Sequence, residues 1–187
     1  MSYIHCKAAL LLPVMFLVAF QFFEPARATA QASSSSGPSL QETLSWLKEF
    51  LPDATGAKFG NGEFVQVRTT MSLVQVNGCE VNIAEIDDVY DKGLLQPSLR
   101  LSVAFRFSFG DIEPRAIAVR TDTMKGTPPP RIAVAISTRN NSPTISIDSQ
   151  GKTSHEYIGA FVDLASAQRV ANALKHAAEL CESRQPF

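Results

Sequence analysis

The chain has 187 residues, with 17 basic and 18 acidic side chains for a formal charge of −1, and three cysteines. A near-neutral balance without any block of like charge argues against nucleic acid or an anionic membrane surface as the main partner, because both reward concentrated positive charge. No internal repeat divides the sequence, and its length suits one domain with one core.

The first thirty residues read as a signal peptide: Lys7 supplies the charge, residues 8–23 an apolar run, and EPARATA the small residues. That run is 16 residues long and is interrupted by Pro13 and Gln21, short of the roughly 18–20 that span a bilayer. Ala28-Thr29-Ala30 is an A-x-A site, so cleavage is expected after Ala30, with Ala26-Arg27-Ala28 as the rival site. An uncleaved membrane anchor is the alternative. No cysteine lies near the site, so a lipoprotein anchor has no support. The expected divisions are therefore a signal peptide at 1–30, a Ser-rich linker at 31–38 (QASSSSGP) and a single globular domain at 39–187. Cleavage removes Lys7, Arg27, Glu24, His5 and Cys6. It leaves 15 basic and 17 acidic residues, His155 and His176, and Cys79 and Cys181.

The domain opens with a helix signal. Ser39 precedes Glu42 at the capping-box spacing, and Leu40, Leu44, Leu47 and Leu51 recur on one face until Pro52 stops the pattern. Residues 53–62 carry three glycines and read as a loop. Strand signals follow. EFVQVRTT alternates, and CEVNIAEI places Cys79, Val81 and Ile83 on one side. Asn77-Gly78 suits a type I′ turn between them, unless residues 72–76 form an irregular corner. Glu85, Asp87, Asp88 and Asp91 read as a solvated acidic loop, since EF-hand spacing fails at Val89. RLSVAFRFSF is the clearest strand, with Leu101, Val103, Phe105, Phe107 and Phe109 on one face. RAIAVRT continues in the same style and GTPPP makes a stiff loop. IAVAIST and PTISID then read as a hairpin around Arg139-Asn140-Asn141, and a weaker strand covers 155–161. Asp163 caps a final helix whose Ala167, Val170, Leu174, Ala177 and Cys181 share a face, with Arg169, Asn172, Lys175, His176 and Glu179 largely elsewhere.

Cys79 and Cys181 thus both point at a core, one from a strand and one from a helix. In an exported chain such a pair is expected to be bonded. Two separate buried thiols are the alternative. No C-x-x-C and no Cys/His cluster of zinc spacing supports a redox or metal role.

Chemical motifs fail on inspection. Gly151-Lys152-Thr153 mimics the end of a phosphate loop, but its first glycine would be residue 146, which is Ser146. Ser45 and Lys48 match S-x-x-K inside the first helix without the partner motifs. His155-Glu156 lacks a second histidine at 159, which is Gly159. Trp46, Phe50 and Phe59 offer an aromatic patch, although docking of the first helix explains Trp46 as well.

Some seven short antiparallel strands followed by an amphipathic helix resemble the pleckstrin-homology-like barrel over roughly residues 60–183. That resemblance implies a helix plugging one open end of the barrel. The stretch ANALKHAAEL lacks the tryptophan usual in that family's last helix, Arg68 stands alone where a basic pair would bind phosphoinositides, and the helix at 39–51 is an addition. Lipid binding therefore does not carry over.

The expected fold class is α+β: an N-terminal amphipathic helix, about seven antiparallel strands in a small sandwich or barrel, and a C-terminal helix packed on the sheet. The expected function is that of an exported, non-enzymatic binding domain, secreted or periplasmic. Its partner is not specified by the sequence, a protein being the class favoured, and no catalytic residue, cofactor or metal is expected. The alternatives are a small hydrolase-like enzyme using His155 and nearby carboxylates, or a subunit of an envelope assembly.

Overall fold

The computed structural model of the chain describes residues 37–56, 58–59, 65–122, 131–148 and 150–183. The expected signal peptide, its cleavage site, most of the Ser-rich linker and the GTPPP loop lie outside the described residues.

The domain is α+β. Helix α1, Leu40–Thr55, begins with the capping box that Ser39 and Glu42 announce. The Ser39 N–H donates to the Glu42 carboxylate at 2.7 Å, and the Glu42 N–H donates to Ser39 Oγ at 3.3 Å. Leu40, Leu44, Leu47 and Leu51 are all buried. Pro52 does not stop the helix as expected; it lies inside it. The bond lost with its missing N–H is the one to the Lys48 carbonyl, and Lys48 is on the exposed side. The last turn is held instead by Thr55, whose hydroxyl donates to the Leu51 carbonyl at 2.8 Å, and by the Val162 N–H, which donates to the Ala54 carbonyl at 2.9 Å.

Among the described residues nine strands follow: β1 (Lys58–Phe59), β2 (Val65–Asn77), β3 (Glu80–Asp91), β4 (Leu99–Ser108), β5 (Ala118–Asp122), β6 (Arg131–Ser137), β7 (Ile145–Ile147), β8 (Lys152–Ser154) and β9 (Glu156–Phe161). Helix α2, Leu164–Glu182, completes the domain. All strand pairs are antiparallel, in two sheets of order β1-β2-β3-β4-β7-β8 and β5-β6-β9. Among the described residues only an isolated bridge, Ile112 to Thr138, lies between the named strands, so the sheets form an open sandwich rather than a closed barrel.

Three local expectations need correction. The acidic stretch is not a loop, because β3 runs through to Asp91, paired with β2 along to that residue and with β4 as far as Val89. Pairing overrides the weak strand preference of Asp and Glu here. Cys79 is not in the strand: Asn77 pairs with Glu80, which makes Gly78 and Cys79 the turn. Only Gly78 of the two has positive φ, +59°, so the type I′ turn, which needs both positive, is not formed. Finally, β6 and β7 do not pair. Asn140 and Asn141 adopt φ of 55° and 54°, and the Thr138 N–H donates to the His155 carbonyl at 2.9 Å. The chain leaves the small sheet there, and β7 joins β4 in the large one. The irregularity anticipated at 72–76 is a bulge between Leu73 and Gln75, which leaves Val74 outside the pairing and 58% exposed.

One core joins both sheets and both helices, with Leu44, Leu47, Met71, Phe109, Ile112, Ile145 and Val170 among its most buried members. The stripe expected on α2 is buried throughout, from Ala167 to Cys181. Asp163 caps that helix by accepting from the Ser166 N–H at 2.7 Å.

Candidate functional site

The cysteines come together. Cys79 in the β2–β3 turn is bonded to Cys181 in the last turn of α2, 102 residues away, with Cα atoms 5.9 Å apart, inside the usual disulfide range. The Phe109 N–H donates to the Cys79 carbonyl at 2.8 Å. The bond therefore anchors α2 across the end of the large sheet; it belongs to the architecture and not to a reaction.

The residues named for an enzymatic reading are dispersed. Alternation along β3 sends Glu85, Asp87 and Asp91 to the inner face and Asp88 to the outer one. Asp88 is held by a two-pronged bond from Arg100, Nε at 2.6 Å and Nη2 at 3.1 Å. That hydrogen-bonded guanidinium keeps the Asp88 carboxyl below its ordinary range. His155 is exposed, just before β9, and no contact with these carboxylates occurs among the described residues. Nor do the described residues hold any group of His, Cys, Asp and Glu placed to bind a metal ion.

Glu85 is the exception on that inner face. Its row runs Met71, Glu85, Val103 across β2, β3 and β4. Tyr157 on β9 reaches over from the small sheet, its hydroxyl donating to Glu85 Oε2 at 2.8 Å and lying 2.6 Å from Met71 Sδ. Burial pushes the Glu85 carboxyl up, and the tyrosine bond only partly opposes this. Burial likewise raises Tyr157 well above its ordinary value, with the Glu85 charge adding to it. A raised carboxyl pKa means that the folded state binds the proton more tightly than the unfolded chain does. Its stabilising contribution is then full at low pH and is lost as pH rises through the folded value. Glu85→Gln, which mimics the protonated form, is expected to melt above the native protein at pH 7. The gap should close by about pH 4, near the ordinary carboxyl value; thermal melts at both pH values check this.

A concave surface lies between the two helices. Trp46 and Phe50 sit one turn apart on α1, beside the leucine stripe, and their rings stack at 4.6 Å with 21° between planes. Arg169 from α2 lies over both, its guanidinium carbon 4.4 Å from the Phe50 ring centre and 5.5 Å from that of Trp46. Trp46 and Arg169, with Glu42, Thr43, Asn172 and His176, border a groove of about 530 Å³. Its size falls in the range of ligand clefts. Glu42 is committed to the helix cap, and His176 Nε2 is 2.7 Å from the Pro38 carbonyl. The Arg169 guanidinium makes no hydrogen bond to any described residue. A cation held beside two rings, with no hydrogen bond to a described residue, is arranged to receive a carboxylate.

The sequence offers Trp46, Phe50 and Phe59 as an aromatic patch, favours docking of the first helix as the role of Trp46, and places Arg169 on the polar side of α2. Both descriptions hold, since Trp46 and Phe50 are half-buried against the core. What was missed is their convergence. The available signal was the i, i+4 spacing of Trp46 and Phe50 as a second, aromatic stripe; nothing in the sequence located Arg169 opposite it. The side chain of Phe59 lies outside the described residues.

No helix among the described residues is long and apolar enough to cross a membrane. No family model matches the chain, and searches of curated proteins and of solved structures found no match either.

Proposed function

We propose that this is an exported binding domain, without catalysis of its own, that takes a protein partner in the groove between α1 and α2. The carrying observation is the Trp46–Phe50–Arg169 cluster, whose guanidinium makes no hydrogen bond to a described residue. Tryptophan and arginine are the residue types that most often dominate binding energy at protein interfaces. The partner's complementary feature is a carboxylate, from an acidic side chain or a chain terminus, flanked by an apolar residue that packs on Trp46. Export is supported by the charge, apolar run and small residues of positions 1–30, and by the bonded cysteines, which suit an oxidising compartment. The sandwich with its terminal helix supports a pleckstrin-homology-like ancestry in element order alone, and β7, β8 and α1 would then be additions.

Trp46 is the sole tryptophan of the chain, so its fluorescence reports on the groove directly. Protein exported with its own N-terminal segment should co-purify with its partner, and adding that partner to the isolated domain should shift the emission. Arg169→Glu is expected to reduce binding at least tenfold, as loss of a charge-assisted bidentate pair does, with the melting temperature little changed. Undiminished binding by this variant overturns the reading. The enzymatic reading is favoured by one observation, the raised carboxyl of Glu85 beside Tyr157; it requires that Glu85→Gln abolish turnover of some substrate while leaving partner binding intact.

A further inference from the structure

The free margin of β4 points to a second copy of the chain. Strand β7 covers β4 only at Phe105 and Arg106, followed by the Asp148 N–H donating to the Ala104 carbonyl at 3.0 Å. Backbone groups alternate between the two edges of a strand. The even-numbered residues of β4 therefore direct their N–H and C=O toward the β7 side. Arg100 and Ser102 do so beyond the end of β7, where no described strand pairs with them.

The side chains along this margin are those of an interface. Leu99 and Leu101 lie on the inner face, 51% and 48% exposed, and Leu94 and Leu95 of the adjoining β3–β4 connection are 53% and 98% exposed. Soluble proteins ordinarily blunt such an edge with charge. Here the one charge on the margin, Arg100, is neutralised by Asp88 at 2.6 Å.

We propose that two copies join through this margin, antiparallel and about a twofold axis at Leu101, making one continuous sheet. The choice of register follows from the residues. Centred on Leu101, the pairing sets Arg100 opposite Ser102 of the other copy, so that both exchange N–H and C=O. It also sets Leu99 opposite Val103, and Leu101 opposite itself, on one apolar face. Centring on Arg100 would set Ser102 opposite Ser98, whose N–H already donates to the Val89 carbonyl at 2.8 Å. Centring on Ser102 would demand the Ala104 carbonyl that Asp148 already uses. Only the Leu101 register satisfies the open backbone groups without either conflict. The proposal does not depend on the groove reading.

Light scattering of the exported full chain across a concentration series tests this. The mass is expected to rise to twice that of one chain. Ser102→Pro removes an outward N–H and nothing from the β3 pairing, and should raise the dissociation constant about tenfold or more. Leu101→Lys leaves the backbone donors intact and sets two ammonium groups face to face at the axis. It should likewise give monomers, and it decides the matter if Ser102→Pro fails to fold. Ser102→Glu places a carboxylate opposite Arg100 and should tighten the dimer at low salt but not at high salt. A native chain that stays monomeric at every concentration, or a dimer indifferent to Leu101→Lys, overturns the proposal.

Discussion

Replacing Cys79 or Cys181 by serine is expected to lower the unfolding free energy by about 2–5 kcal/mol, the range for native disulfides of small exported domains. The two cysteines are 102 residues apart in the chain. A ring of that size removes more entropy from the unfolded chain than a short one does, nearly 5 kcal/mol at the loop-closure limit. Native packing adds to the loss, because Cys181 is 1% exposed among α2 residues that seal the core, and a serine hydroxyl there has no obvious acceptor. The melting temperature should fall by roughly 5–15 °C. Reducing agent should bring the native protein to the same value. Urea titrations with and without reductant measure this, and a native protein indifferent to reduction contradicts it.

Phe109→Ala should cost about as much, some 3–5 kcal/mol, as truncation of a fully buried aromatic does. Phe109 follows β4 in a 3-10 turn, is 1% exposed, and meets Phe107 edge to face with ring centres 5.4 Å apart. It also borders a void of about 20 Å³ among Leu47, Met71, Val170 and Leu174. Loss of the ring would enlarge a cavity that is already present and apolar, which water would not usefully fill. The Phe109 N–H bonds the Cys79 carbonyl at 2.8 Å, so the two sites share one structural unit. The double variant Cys79→Ser, Phe109→Ala is accordingly expected to lose less than the sum of the single losses, as contacting sites do. Equilibrium unfolding of the three variants checks both size and coupling.

Much of this fold is legible in local pattern. The Ser39–Glu42 box, the leucine stripe of α1 and the Asp163 cap of α2 each depend on side chains within a turn or two of one another, and each is present, whereas the alternation expected along β4 shows in burial only toward its end, at Phe107. The misreadings share a cause. Pro52, the acidic end of β3 and the segment after β6 were judged by what they prefer alone, whereas their conformations are settled by distant partners. Thr55 and Val162 secure the turn around Pro52, and Arg100 compensates Asp88 from the next strand. Thr138 ties to His155, 17 residues away, where a hairpin was expected. The pairing of Cys79 with Cys181 was anticipated because setting Cys6 aside with the expected signal peptide leaves two cysteines, although the turn position of Cys79 was not. The groove was illegible for the same reason as β3: the Trp46–Arg169 contact spans more than a hundred positions, and no periodicity relates α1 to α2.

The cystine has a further consequence for how the chain withstands cutting. Every peptide bond between positions 79 and 181 lies inside a covalent circle. A single proteolytic nick there, for instance after Lys125, opens the circle without releasing a fragment. Severed pieces remain tethered, and α2 stays fastened to the end of the large sheet. Such a molecule would tolerate a hostile, protease-rich surrounding that would dismantle a chain with no such clasp.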